Sequence, residues 1–202
     1  MPVDLESLMS LKPEFILTSE AQLSEHYASP FETVLKKQIN HIDDYAKKLI
    51  AAAPFAVLGT IGSNGIDCSP KGGEPGFTHV EDSKTLMLPD RPGNNRLDGI
   101  RNLLHNAAIG ILFLIPNWAE AFRVNGRAVI SVDPKLCERF SQNGHPARSV
   151  LVIEVNEVFI HCGRAITFAD LWSPEKHADK ESLPTALEVF KAHLAINNRQ
   201  LS

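Results

Sequence analysis

Six predicted strands between Phe55 and Cys162 follow one another with no long helix between any two of them, and this order constrains the fold more than any other feature of the sequence. Each strand is a short apolar or alternating run bounded by turn-forming residues. A connection between parallel strands needs a dozen or more residues, usually a crossover helix. The pattern therefore predicts an α+β fold whose mainly antiparallel sheet closes into a small barrel, with helices packed outside and no exposed strand edge.

The spacing of apolar residues within the strands predicts which faces are covered. The strands are expected at Phe55 to Ile61, Ile66 to Ser69, Thr85 to Leu88, Ile109 to Ile115, Ala121 to Val132, and Val150 to Cys162. The turn Ser63-Asn64-Gly65 between the first two strands contains an Asn-Gly pair, which is typical of a hairpin. The run from Ile109 is apolar throughout, as expected for a strand covered on both faces. The run from Ala121 alternates, which predicts one core face and one polar face.

Apolar periodicity also predicts four helices. A capping box at Ser29, with Pro30 at the first helical position, starts a long amphipathic helix that runs to Leu49. The others are expected from Leu97 to Leu104, with Asn94 or Asn95 as the cap, from Asp133-Pro134 to Phe140, and from Pro184 to Ile196. We expect a single domain over residues 1–202, with an N-terminal helical extension over about 1–53 and a C-terminal helix over about 184–196. Residues 1–28 carry no signal that predicts their structure.

Composition limits the classes of function. The chain has 202 residues, 44% of them hydrophobic, which is enough for a core without disulfide or metal support. A net charge of -4 argues against sequence-independent nucleic-acid binding. Cys68, Cys137 and Cys162 form no CxxC pair, so no metal site is predicted, and Cys68 and Cys162 are expected to be buried. The longest apolar run, Ala107 to Ile115, is too short to cross a bilayer, so we expect a cytoplasmic protein with no membrane partner.

Two loops that flank the short strand near Thr85 carry residues suited to bind phosphate. The first loop contains Ser69 and Lys71, and the second contains Arg91, Asn94, Asn95 and Arg96 at the start of a helix. A phosphate monoester carries roughly two negative charges near neutral pH, so its site needs cations and free backbone N–H donors. A helix N-terminus supplies such donors together with a partial positive charge. The alternative is that Arg91 and Arg96 are solvated loop charges and that Asn94 is a plain helix cap.

Several well-known motifs are absent from the sequence. It contains no GxGxxG after a strand, no GxxxxGK[ST], no HExxH and no GxSxG, so dinucleotide folds, P-loop enzymes, zincins and α/β-hydrolases lack their usual support. His105, His161 and His177 are expected to be surface or structural residues. The acidic residues near the basic loops, among them Asp67, Asp90 and Asp98, show no metal-ligand spacing and are interpreted as solvated charge.

Five segments stand in a characteristic order along the chain. They are the strand pair around Asn64-Gly65, Ser69-Pro70-Lys71-Gly72, Leu88 to Leu97, the apolar strand from Ile109, and Phe122 to Ala128. Together they resemble the flavin-binding split barrel of the pyridoxamine 5'-phosphate oxidase family, over a stretch from about Pro54 to about Trp172. The closing segments His161 to Ala165 and Leu171 to Pro174 are similar to a subgroup described only as FMN-dependent proteins.

The resemblance implies a Greek-key, mainly antiparallel split barrel with flanking helices, which forms a two-fold homodimer with FMN in a cleft between the subunits. The loop that begins at Arg91 would hold the FMN phosphate, Lys71 would add a cation, and Ser69 would bond to the ring or ribityl chain. Either arginine of the alternating strand would reach the cofactor from the other subunit, and Trp172 would lie near the ring edge or else be an aromatic core residue. The cofactor-binding residues implied are Ser69, Lys71, Arg91, Asn94, Asn95, Arg96, Arg123, Arg127 and Trp172.

The function implied by the resemblance is that of an FMN-dependent oxidoreductase acting on an unidentified small molecule, with NADH or NADPH as a candidate electron donor. No catalytic side chain is predicted, because the flavin carries the redox chemistry. Lys71 is also a candidate for stabilising the anionic reduced flavin. The phosphate loop lacks the family's Ser-Arg-Lys cluster and no basic C-terminal segment for a vitamin B6 substrate is present, so oxidation of pyridoxamine phosphate is not expected. The alternatives are a non-catalytic flavin or haem binding module and a phosphate-ester hydrolase or nucleotide-binding protein.

Overall fold

The computed structural model describes residues 12–63 and 65–200, which fall into two compact units divided between Gln38 and Ile39. The first unit contains a 3-10 turn, Pro13–Phe15, and two short helices, α1 (Glu20–His26) and α2 (Glu32–Lys36). The Ser19 Oγ caps α1 by accepting a hydrogen bond from the Gln22 amide at 3.3 Å. The single-domain organisation expected from the sequence stays a prediction.

The long helix predicted from Ser29 to Leu49 is wrong. Helix α2 has Phe31 at its N-cap with no side-chain cap, so the capping box at Ser29 does not form, and residues 37–43 are not helical. Helix α3 (Asp44–Ala52) starts separately, because Asp43 Oδ1 accepts a hydrogen bond from the Ala46 amide at 2.7 Å. Before it, Ile39 exchanges two backbone hydrogen bonds with Val158. A backbone paired with a strand cannot also continue a helix, and periodicity alone does not reveal that competition.

The described residues of the second unit form seven antiparallel strands, which confirms the predicted fold class. They are β1 (Phe55–Gly62), β2 (Gly65–Gly72), β3 (His79–Val80), β4 (Thr85–Asp90), β5 (Ala108–Leu114), β6 (Ala121–Ser131) and β7 (Ser149–His161). Their order in the sheet is β2-β1-β5-β6-β7-β4-β3. The predicted hairpin is confirmed by the pairing of β1 with β2, from Phe55 opposite Gly72 to Gly62 opposite Gly65. Asn64, in the predicted turn, lies outside the described residues.

The sheet does not close into the barrel expected from the sequence. Among the described strands, β2 and β3 are edges, with no ladder between β2 and β4. Side chains bridge this split instead, because Lys71 on β2 donates a hydrogen bond to Asp90 at the end of β4 at 3.1 Å. A cavity opens between the two strands.

The core lies on the inner face of the sheet. On β6, Phe122, Val124 and Ala128 are buried whereas Arg127 is exposed, so the predicted alternation is confirmed. On β5, the residues that face the core are buried, whereas the residues on the opposite face are only half-buried. The prediction that both faces of this strand are covered is therefore only partly met within a single chain. A bulge follows Asn125. A Cβ added at Gly126 would lie 2.1 Å from the Glu154 carbonyl oxygen, so the bulge requires glycine.

Four more helices complete the unit. They are α4 (Asp98–His105), α5 (Pro134–Arg139), α6 (Arg164–Phe168) and α7 (Ala186–Gln200). Helices α4, α5 and α7 were predicted to within a few residues, whereas α6 and β3 had no sequence signal of their own. No helix within residues 12–63 and 65–200 is long and apolar enough to cross a bilayer. The predicted burial of Cys68 and Cys162 is wrong, because Cys68 points outward from edge strand β2 and Cys162 follows the end of β7.

Candidate functional site

A cavity of about 420 Å³ opens where the sheet is split, between the inner face of the β1–β2 hairpin, the end of β4 and the start of α4. Six of the nine cofactor-binding residues implied by the resemblance line it: Ser69, Lys71, Arg91, Asn94, Asn95 and Arg96. They come from two segments about 20 positions apart in sequence. The fold therefore brings the two basic loops together around one volume.

Strand β2 supplies three polar groups to the cavity through its two-residue period. Asp67, Ser69 and Lys71 all line it and alternate along the strand with Cys68 and Pro70, of which only Pro70 also lines the cavity. The Ser69 hydroxyl donates to Asp67 Oδ2 at 2.5 Å. This places a carboxylate, a hydroxyl and an ammonium group in a row along one wall.

The loop from Arg91 to Leu97 is held in shape by local hydrogen bonds. Asn94 Oδ1 accepts from the Arg96 amide at 3.0 Å, and Asn95 Oδ1 accepts from Arg148 Nη1 at 2.6 Å. Asn95 and Leu97 adopt left-handed backbone conformations, with φ of 60° and 56°. The second of these residues, Leu97, is the N-cap of α4.

Neither Asn94 nor Asn95 caps α4, so that prediction is wrong. The N-cap residue is Leu97, and no side chain among the described residues caps the helix. The two asparagine side chains are already used, one within the loop and one on Arg148. The first N–H groups of α4 consequently lack a side-chain acceptor and lie beside the cavity.

Close packing fixes the start of α4 against the hairpin. A Cβ at Gly99 would lie 2.8 Å from Asp67 Oδ2, so a side chain at this position would displace the Asp67 carboxylate. One turn later the buried Asn102 amide donates to Thr60 Oγ1 at 3.2 Å and to the Gly65 carbonyl at 3.4 Å. These contacts set the distance between the helix N-terminus and the polar wall of β2.

The cavity is lined by equal numbers of positive and negative side chains, but one of the cations has no ion-pair partner among the described residues. Three cations and three carboxylates line it. Lys71 is paired with Asp90, and Arg96 with Asp98, a contact that raises the pKa of Arg96. Arg91 has no hydrogen bond or ion pair with any described residue. Arg91 is therefore the cation most available to an anionic ligand.

The three remaining predicted residues lie away from the cavity. Arg123 Nη2 donates to Glu157 Oε1 at 2.5 Å and its guanidinium stacks on Phe159, while Arg127 is exposed on the same strand. The Trp172 indole N–H donates to the Trp118 carbonyl at 2.9 Å. Their contact with a cofactor stays a prediction.

Sheet register shows why the arginines of β6 do not reach the cavity of their own chain. Ser69 pairs with Leu58, Leu58 with Ile111, and Ile111 with Val124, so these residues share the inner face. Arg123 and Arg127 occupy the intervening positions and face the opposite side. Within a single chain, neither arginine lines this cavity.

A second cavity of about 410 Å³ adjoins the first. The two share Pro70, Lys71, Asp90 and Arg91, so the Lys71–Asp90 pair stands at the boundary. The second cavity is lined further by the glycine-rich connection after β2, by Phe77 and by Gln142. Its walls combine backbone, one aromatic ring and a few polar groups.

Sequence reasoning missed the groups that organise the site. Asp67, Asp90 and Asp98 were interpreted as solvated charge, yet all three line the cavity, and the Asp90 side chain is only 12% exposed. The alternation of Asp67 with Ser69 and Lys71 was a usable signal for one of them. The roles of Asn102 and Arg148 depend on contacts across 37 or more positions, which no local pattern reveals.

A family model and several solved structures are similar to this chain. A family model described as pyridoxamine 5'-phosphate oxidase matches residues 42–162. No curated protein matches. Similar solved structures include HupZ of Group A Streptococcus (22% identity, 59% of this chain and 93% of that one, TM-score 0.49) and a putative pyridoxamine 5'-phosphate oxidase of Lactobacillus delbrueckii (18%, 60% and 95%, 0.49). An FMN-binding protein of Syntrophomonas wolfei is also similar (13% identity, 57% and 82%, TM-score 0.45).

Proposed function

Because the chain belongs to the pyridoxamine 5'-phosphate oxidase family, we propose that it is an FMN-binding flavoprotein that acts as an oxidoreductase on a small molecule. The observation that carries the proposal is the convergence of two distant basic segments on one cavity, next to a helix start without a side-chain cap. A phosphate-bearing ligand is what such a combination binds best.

The residues present fit the phosphate of FMN. Arg91 offers a guanidinium with no competing partner among the described residues, and α4 offers backbone N–H donors and the positive end of its dipole. The cavity volume, about 420 Å³, falls within the usual range for sites of small molecules and cofactors. A phosphate placed here would receive charge-assisted hydrogen bonds worth roughly 1.5–3 kcal/mol each.

The ion pairs of Lys71 and Arg96 with carboxylates determine how readily each of these two cations could bind a phosphate. A phosphate would have to compete with Asp98 for Arg96 and with Asp90 for Lys71. The Arg96 side chain is 80% exposed and can turn away from Asp98 at little cost, whereas the half-buried Lys71 is held against a mostly buried partner. Arg91 and Arg96 are therefore assigned to the phosphate, and Lys71 to the edge of the flavin ring.

A bound flavin would supply the redox chemistry, and the chain supplies binding and orientation. Leu58, Leu103 and Leu151 line the same cavity and would exclude water from the ring. The Lys71 ammonium, fixed by Asp90 at 3.1 Å, would hold positive charge beside it. The second cavity, on the other side of this ion pair, is the proposed place for the substrate.

The proposal includes a two-fold homodimer with the cofactor cleft shared between subunits. Its support is the position of Arg123 and Arg127 on the sheet face opposite the cavity, from which they can meet only a ligand held by another chain. The loop from Arg91 to Leu97 is exposed within a single chain, so a partner would also shield the phosphate.

The test is an absorbance spectrum of the protein purified without added cofactor, followed by mass identification of the released molecule. We expect flavin absorption and release of FMN. Anaerobic NADH or NADPH should then bleach the flavin absorption, and air should restore it. Bound FMN that no donor reduces would identify a non-catalytic binding module, whereas a colourless protein that takes up no added FMN would refute flavin binding altogether.

A further inference from the structure

The C-terminal arm, defined as residues 174–197, contains no buried residue. It begins just after Trp172, whose indole N–H donates a hydrogen bond to the Trp118 carbonyl. Helix α7 occupies the second half of the arm, and its large apolar side chains are exposed, Leu187 and Phe190 by 60% each. A stable helix of this length normally buries its apolar side.

The apolar residues of α7 lie on one side of the helix. At 3.6 residues per turn, one half of the circumference carries Leu187, Val189, Phe190, Leu194 and Ile196. The other half carries Glu188, Lys191, Ala192 and Ala195. Leu187, Phe190 and Leu194 stand at i, i+3 and i+7 and form the main apolar stripe of the helix. His193 and Asn197 lie between this stripe and the pair Val189 and Ile196, and all of these residues are exposed.

The same unit exposes a second apolar surface on the outer face of the β1–β2 hairpin. We define this outer hairpin surface by Phe55, Ile61 and Ile66, of which Ile66 is 79% exposed. Ile61 and Ile66 are direct cross-strand partners, so their side chains form one continuous patch. Strand β2 is also a sheet edge, which proteins normally cover.

We propose that α7 of each chain packs on the outer hairpin surface of a second copy, so that two chains exchange their C-terminal arms reciprocally. The two surfaces belong to one unit and are both exposed, so α7 does not cover the hairpin of its own chain. In a two-fold dimer the same contact forms twice: the first chain's α7 packs on the second chain's hairpin, and the second chain's α7 packs on the first chain's hairpin. This inference rests on the homodimer of the proposed function and is independent of flavin binding.

The available area is what a stable dimer needs. Five side chains on α7 that are 38–60% exposed offer roughly 400 Å² of apolar surface, taking 150–250 Å² for a large side chain. The three side chains of the outer hairpin surface, which are 38–79% exposed, offer roughly 250 Å² on the same scale. Two arms and two receiving surfaces would together bury roughly 1,300 Å², which lies within the range of stable specific interfaces. Single chains would leave this surface in water.

The experiment compares two double variants of the full-length protein that carry the same added charge on opposite sides of α7. L187D/L194D changes the apolar face, and A192D/A195D is the matched control. Sedimentation velocity gives the mass, hydrogen exchange gives the protection of α7, and the FMN absorbance gives cofactor content. We expect the wild type and the control to be dimers with protected α7 amides, and L187D/L194D to raise the dimer dissociation constant more than about 100-fold.

I66D tests the receiving surface without altering the arm, so the proposal does not depend on the folding of one variant. It should also yield monomers, with α7 amides that exchange as fast as those of an isolated helix. A dimeric L187D/L194D, or a dimeric I66D, overturns the exchange while leaving the homodimer standing. A monomeric wild type with protected α7 amides shows that the arm is covered by its own chain and also overturns it. FMN retained by a monomer would leave flavin binding intact and would refute the cofactor cleft shared between subunits.

Discussion

Arg91→Ala is the most direct perturbation of the proposed phosphate site. Arg91 lines the cavity and has no partner among the described residues, so its removal leaves no carboxylate unpaired and breaks no hydrogen bond of the described chain. A loss of ligand affinity would then report a lost contact with the ligand and not a rearranged site.

The structure sets the expected size of the effect. One guanidinium contact with a charged group is worth about 1.5–3 kcal/mol, and each 1.4 kcal/mol is tenfold in Kd. Because Arg91 is exposed in the single chain, we expect the lower half of that range, about a 10- to 40-fold weaker FMN affinity. Arg96→Ala should cost less than about fivefold, because an exposed pair with Asp98 must be given up when Arg96 binds phosphate.

The assay is titration of cofactor-free protein with FMN and, in parallel, with riboflavin, which lacks the phosphate. Arg91→Ala should weaken FMN and leave riboflavin unchanged. Arg101→Ala is the matched control, because Arg101 is an exposed arginine on α4 that does not line the cavity. Equal losses for both ligands, or an unchanged FMN affinity, would refute the assignment of the loop to the phosphate.

Three further predictions test the electrostatics and packing around the site. Asp98→Asn should tighten FMN binding severalfold in the same titration, because it frees Arg96 and removes a negative charge; weaker binding would contradict this. Asn102→Ala should lower the free energy of unfolding by about 1–3 kcal/mol in urea, because the buried Thr60 hydroxyl loses its partner, whereas an unchanged stability would show that the contact is dispensable. Arg139 lowers the pKa of Glu81 below its ordinary 4.5, so the wild type should exceed Glu81→Gln in stability above pH 4.5 and lose that advantage as the pH falls through the lowered pKa; a pH-independent difference in urea titrations would contradict it.

The sequence by itself determined the class of the sheet and most of its strands. Short connections exclude crossover helices, and the two-residue period of β6 fixes which side chains enter the core. These are local properties, since a strand's pattern and the length of the next loop can be read without knowing their partners. For the same reason the residues of both basic loops, which line the first cavity, could be selected from sequence as candidates for binding phosphate. The family resemblance is confirmed.

Only the tertiary structure decided how those residues are paired. The helix expected up to Leu49 is interrupted, because Ile39 pairs with Val158 on β7. The sheet does not close between β2 and β4, where the Lys71 side chain contacts Asp90 instead. The tertiary structure also gave the carboxylates a place in the site and left Arg91 without a partner in the described chain. An ion pair or a bridge between strands depends on the distance between groups that are far apart in sequence, and that distance exists only once the chain has folded.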